Sequence, residues 1–365
     1  PSHVLELIEE LHRVGAIVHN RNSHEWDWDI ERVRGHYFSN NSLDRIEQHI
    51  MEFPEPTRDA LCVGSAIGEH FSSELLAGVQ GIEGAELATQ LRPALSKGML
   101  VGGVADATQT SYQFSHPRIR AFIYSAMDEA TKSTVHMAIA EQLKASARPT
   151  GGTLVQVAEH MNAATNPLSL SAEQRQAVAH QNLLAAREML SQNAFQPAYK
   201  FCRSGLSLVG ELPDEPVFVE LCQCAAEAAF YCGDFGQLDR VLEGVQKQTS
   251  ALDEVKVRAA LVQNKLGQAR ALALKGLKNL GYTPVATETG VMTSLRRAAS
   301  FGARRPAPNP APVLQDVRLQ QALRLHGYLL HASYHLGSSG TMNFTEAMLR
   351  IAAQHGYCAE AAFAY

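Results

Sequence analysis

Three stretches between residues 179 and 281 share one grammar, and it limits the possible folds more than any other feature. AHQNLLAAREMLSQNAFQPAYKFCRSGLSLV, ELCQCAAEAAFYCGDFGQLDRVLEGVQ and KVRAALVQNKLGQARALALKGLKNLG each read as helix, small or polar turn, helix. The turns fall at Asn193-Ala194-Phe195, Gly233-Asp234-Phe235 and Lys265-Leu266-Gly267. Their spacing of roughly 30 to 40 residues is close to the tetratricopeptide period, though strict consensus positions are missing. Ala186, Ala226 and Ala229 supply small side chains where crossing helices must approach closely. Hairpins of this kind cannot bury their apolar faces alone, so they must stack. Helical patterning returns at LQDVRLQQALRLHGYLLHASYHLG and TEAMLRIAAQHG, which predicts a further hairpin.

The first third of the chain has a different order. Leu5, Ile8, Leu11 and Val14 keep helical spacing until Gly15. Two apolar pieces around Ile17 and Trp26–Ile30 flank the polar turn NRNSH and predict a small hairpin. Its residues Trp26 and Trp28 alternate with Asp27 and Asp29, so both tryptophans share one strand face. Packing against a neighbouring helix and service as an exposed partner patch are both open to them. Helices are expected from Ser42 to Met51, from about Pro56, from about Ser72 to Val79, and from Gly84 to Lys97. GMLVGG and SYQFSH then pair as a two-stranded wing. In YQFSHPRIRAFIYSAM, Pro117 suits a first helical turn. His116 reads as a cap or seam hydrogen-bonder there, and Arg118 and Arg120 as contacts to a neighbouring domain.

The fold class is therefore mainly α: a winged-helix domain followed by a tetratricopeptide-like helical-hairpin array, an α-solenoid. The expected divisions are 1–36, a lid region with the small hairpin; 37–127, winged-helix-like; 128–282, helical repeats; 283–317, an Arg- and Pro-rich connector; and 318–365, a further repeat. The chain begins on Pro1 and ends on AEAAFAY, which reads as a segment of a longer protein.

Chemistry-bearing motifs are sparse. G-x-x-x-x-G-K-S/T, G-x-G-x-x-G and G-x-S-x-G are absent, so no nucleotide loop or serine elbow is assigned. Cys222 and Cys224 would point about 200° apart on a helix and cannot easily grip one ion. His331 and His335 share a face without a completing ligand. Catalytic, cofactor-binding and metal-ligating residues are thus expected to be none. A formal net charge of −5 argues against nucleic acid as the main partner, since phosphate backbones demand a concentrated basic surface. On the helix at 84–97, Arg92 and Lys97 are offset by Glu86. No run approaches 18 apolar residues, so no membrane span is expected. The unevenly placed cysteines read as buried apolar residues of a reducing, cytoplasmic compartment.

PSHVLELIEELHRVGAIVHN, EWDWDIERVRG, NNSLDRIEQHIMEFPEPTRDALCVGSAIGEHF and YQFSHPRIRAFIY, in that order, resemble the region just after the nucleotide-binding core of STAND-type AAA+ ATPases. The nearest likeness is to multidomain serine/threonine kinase–ATPase–sensor histidine kinase signalling proteins. Related regions occur in certain adenylyl cyclases and in MalT-like or LuxR-type regulators. The resemblance continues through the repeats to HGYCAEAAFAY and so covers nearly the whole chain. It implies a regulatory segment that couples an inducer or partner, received by the repeats, to a nucleotide switch. ATP is expected in an upstream domain and no cofactor in this segment. The expected partners are that upstream domain, a downstream signalling domain and a protein or small-molecule inducer. Trp26, Trp28, His116, Arg118 and Arg120 are the interdomain or partner candidates. The family usually carries an acidic residue after the seam histidine, where Pro117 stands here. Two alternatives remain open: a DNA-binding winged helix with effector-sensing repeats, and a small-molecule sensor.

Overall fold

Helices dominate the computed structural model, which describes residues 8–9, 11–20, 25–30, 50–106, 109–145, 151–164, 170–210, 216–245, 249–282, 313–338, 341–356 and 358–360. Nearly all of the expected helix at 42–51, and the connector up to 312, lie outside those residues. The chain divides into two units. One is Pro1–Pro149 with Glu159–Thr165; the other is Thr150–Ala158 with Asn166–Tyr365.

In the first unit, the left-handed Gly15 (φ 71°) ends a helical turn. The N–H of Ala16 donates back to Leu11 O at 2.8 Å, closing that turn. Strands β1 (Ile17–Asn20) and β2 (Glu25–Trp28) then pair antiparallel, Ile17 opposite Trp28. Helix α1 (Glu55–Ile67) starts with proline in its first turn and buries Ala60, Leu61 and Val63. After it come β3 (His70–Ser72), α2 (Ser73–Gln80), α3 (Gly84–Ser96), β4 (Leu100–Asp106) and β5 (Gln109–Phe114). Ser72 caps α2 by accepting from the Leu75 N–H. The expected two-stranded wing is a three-stranded antiparallel sheet in the order β3-β5-β4. Phe71 of β3 sits beside Phe114 and Tyr112 of β5 in a core completed by Leu61, Leu76, Leu87 and Leu91. Helix α4 (Pro117–Ala126) follows, then α5 (Glu129–Ala145), whose Val135 packs on the same core. The sequence reading began the repeats at residue 128; α5 belongs instead to this first unit.

After α6 (Gly151–Ala164), the second unit is built from four hairpins. They are α7 (Ala172–Ser191) with α8 (Phe195–Val209), α9 (Pro216–Tyr231) with α10 (Phe235–Glu243), α11 (Ser250–Val262) with α12 (Leu266–Asn279), and α13 (Val317–His335) with α14 (Thr341–His355). Each first helix ends in the same way. Asn193, Gly233, Asn264 and Gly337 are left-handed, with φ of 58°, 71°, 56° and 65°. The following N–H reaches five residues back: Ala194 to Met189, Asp234 to Ala229, Lys265 to Ala260 and Ser338 to Ser333. This Schellman closure satisfies carbonyls that a helix end would leave bare. The third turn thus centres on Asn264-Lys265, one residue earlier than its spacing suggested.

Stacking rests on small residues. Ala186, Ala226 and Ala229 are all buried. Gly205 of α8 lies so close to Leu221 of α9 that an added Cβ would meet its Cδ1 at 2.8 Å. Gly276 of α12 meets Leu325 of α13 similarly, at 3.1 Å. Both glycines stand twelve residues after a left-handed turn residue, and both leucines twelve before the next. One crossing geometry therefore recurs along the array. Gly205→Val should destabilise the chain by about 1–3 kcal/mol through overpacking. Thermal unfolding followed by circular dichroism checks this; an unchanged midpoint would contradict the crossing.

Candidate functional site

Successive first helices of the hairpins are laced by ion pairs. Arg187 of α7 meets Glu220 of α9 at 2.8 Å, and Glu227 of α9 lies 4.0 Å from Arg258 of α11. Glu254 of α11 takes Arg324 of α13 bidentately, at 2.8 Å to Nε and 3.2 Å to Nη2. Arg187, Glu227, Arg258 and His331 occupy one repeat position, each six residues before its left-handed turn residue. The hydrophobic stripe of α9 leaves Glu220, Gln223, Glu227 and Phe230 partly exposed along this side.

Aromatic rings sit among the charges. The Arg258 guanidinium lies 4.4 Å from the Phe230 centroid and 5.0 Å from that of Tyr231. Phe195 stacks on Tyr231 at 4.5 Å. Tyr328 donates to Glu254 at 3.4 Å, and burial, helped by that carboxylate, holds its phenol up at about 12. Exposed pairs of this kind contribute about 0–1 kcal/mol each. They set helix register more than stability, and leave a mixed-sign face with aromatic anchors. Such a face suits a charged, partly apolar polypeptide.

The first unit holds a buried polar chain. Tyr124 Oη lies 2.8 Å from His136 Nε2, and His136 Nδ1 lies 2.8 Å from His160 Nδ1. One imidazole must donate to the other, so the two rings take complementary tautomers and cannot both be protonated there. Burial lowers both pKa values, with Arg120 adding to the shift at His136 and His136 to that at His160, which falls to about 4.

The residues singled out in the sequence do not converge. Trp26 and Trp28 are 52% and 63% exposed, and Trp26 meets His12 and His19 edge-on. His116 caps α4, its Nδ1 accepting from the Arg118 N–H at 3.1 Å. Arg118 is exposed, whereas Arg120 turns inward and donates to Ser65 O at 2.9 Å. On α3, Arg92 shares the exposed side with Glu86 and Thr89, and Lys97 is paired with Glu52. Among the described residues, no group of three His, Cys, Asp or Glu is placed to hold a metal, and no helix is long and apolar enough to cross a membrane. Sequence reasoning missed both the ion-pair ladder and the histidine pair. The alternation Arg187, Glu227, Arg258 at one repeat position could have revealed the ladder; nothing local marks His136 and His160 as neighbours.

Because the histidine values are depressed on folding, the unfolded chain takes up protons first as pH falls below 6.5. The stability present above that pH is lost down to about 4, and His160 alone accounts for ~3 kcal/mol of it. His160→Gln should flatten this acid-side loss relative to the unmutated chain, measured by urea unfolding at several pH values. Parallel pH curves would contradict the burial of a neutral His160.

Neither a family model nor a curated protein matches the chain. Among solved structures it is similar to a Signal Transduction ATPase with Numerous Domains (STAND) protein with a tetratricopeptide repeat sensor from Pyrococcus horikoshii. Identity is 12% and the TM-score 0.35, covering 87% of this chain and 47% of that one. The chain thus spans about half the length of that protein.

Proposed function

We propose that the chain is a non-catalytic regulatory and protein-interaction segment of a larger STAND-type signalling ATPase. The first helices of its repeats receive a polypeptide inducer or partner. The first unit, read as a winged-helix module, faces a nucleotide-binding domain elsewhere in the parent, which holds the ATP. The ion-pair ladder carries this reading. Partly exposed charges of both signs, with Phe230, Tyr231 and Tyr328 among them, line one side of successive hairpins.

Two further features support it. From α1 to β5 the order is helix, strand, helix, helix, strand, strand, with the first strand beside the last. That is a winged-helix order. The exposed Trp26, Trp28 and Arg118 supply the aromatic and cationic side chains favoured in interface anchors. The exposed side of α3 is poorly suited to DNA, because its arginine stands beside a glutamate.

The test is binding of the 365-residue chain to the nucleotide-binding region of its parent, with ATP or ADP, by calorimetry. Affinity should depend on the nucleotide, and Trp28→Ala or Arg118→Ala should weaken it about tenfold or more, as for an interface anchor. No binding with either nucleotide, by a chain that retains its helical circular dichroism, would overturn the coupling.

A further inference from the structure

Six cysteines are free, and two of them meet across the glycine crossing already described. Helices α8 and α9 run antiparallel there, with Gly205 against Leu221. One turn further along each helix stand Cys202 and Cys224. The Cys202 thiol donates a hydrogen bond to the Cys224 sulfur, and the Arg187 guanidinium of α7 donates to the same sulfur. Cys202 is fully buried, whereas Cys224 keeps 9% exposure under Arg187, an ion-pair partner of Glu220.

We propose that Cys224 and Cys202 form a peroxide-responsive thiol pair, Cys224 as the attacking sulfur and Cys202 as the resolving one. The Cys224 thiolate attacks the terminal oxygen of a hydroperoxide, R–O–O–H. The O–O bond breaks, Cys224 becomes a sulfenic acid, and R–OH leaves with the proton that the thiol gave up. Cys202 then attacks that sulfur, forming the S–S bond. The sulfenic hydroxyl departs as water with the Cys202 proton. Two thiols are oxidised and one peroxide is reduced.

The chemistry of the surroundings agrees. The Cys202 hydrogen bond, aided by Arg187, lowers the Cys224 pKa against the effect of burial, while the same bond and burial raise that of Cys202. Cys222, two residues away, has no such donor and burial pushes it up to about 11. Cys232 is more exposed than Cys224, yet burial raises its pKa as well. Exposure alone would therefore select Cys232, and local chemistry selects Cys224. The product would tie the second helix of one hairpin to the first helix of the next. It would also remove the thiolate that Arg187 stabilises, beside the ladder. The oxidation does not depend on the proposed function.

The test treats the full 365-residue chain with hydrogen peroxide under native conditions, then blocks free thiols and maps linked peptides by mass spectrometry. The expected result is a Cys202–Cys224 disulfide formed before any oxidation of Cys222 or Cys232. Cys202→Ser should abolish it and leave Cys224 trapped by dimedone as sulfenic acid. Arg187→Gln should slow the first step about tenfold through a smaller thiolate fraction. Prior oxidation of Cys232, linkage of Cys202 to Cys222, or an unreactive Cys224 in the unmutated, helical chain would each overturn the assignment. Should either variant misfold, the order of oxidation in the unmutated chain decides.

Discussion

The close approach of a glycine to a leucine between successive hairpins is the constraint on which the second unit depends. A helix pair normally packs at 8–10 Å between axes, a distance set by the side chains at the contact. With Gly205 and Gly276 at the crossings, Leu221 and Leu325 reach almost to the opposing backbone. Each leucine is fully buried, which contributes about 1.5–3 kcal/mol. Much of the remaining interface is alanine, which fills little volume but loses no side-chain entropy on burial. The hairpins gain stability from proximity over many small contacts, and proximity requires that the turns hold each hairpin in one geometry. The four left-handed residues with their five-residue back-bonds do so.

Hairpin grammar was legible because turn chemistry is local. Asn193 and Gly233 announce a left-handed residue in the sequence itself, since asparagine and glycine tolerate positive φ best. Asn264 has the same chemistry, but spacing alone placed the third turn one residue late. Strand β3 escaped notice because three residues carry no period, and only Phe71 among them reaches the core. The Trp26–Trp28 alternation indicates shared faces but not whether a face is covered. Both rings are in fact exposed.

Polar pairings were legible only in part. The cap formed by His116 involves a residue two positions away, so its side chain and Pro117 were enough to suggest it. His136 and His160 are separated by more than one complete helix end, and their hydrogen bond is a product of packing. The same holds for Cys202 and Cys224. In sequence, Cys222 and Cys224 drew attention because they are adjacent, yet the α-helix points them to different neighbours. Residue type shows what chemistry is available, and the fold decides which groups share it.

Self-pairing along the ladder also bears on how a partner could be sensed. Arg187, Arg258 and Arg324 are each engaged with a carboxylate of a neighbouring repeat. A charged partner that takes one of them must displace that carboxylate. For the half-exposed Arg187–Glu220 pair the exchange costs little, because the pair itself contributes about 0–1 kcal/mol. Arg324 and Glu254 are less exposed and joined bidentately, so the same exchange there is harder. The ladder is thus graded, loosest between the first two hairpins and tightest at the last pair. On the proposed reading, a ligand that swaps a partner at the loose end alters the link between two hairpins while the tight end stays fixed. A local binding event then becomes a change in repeat geometry, which supplies the differential contact a switch requires.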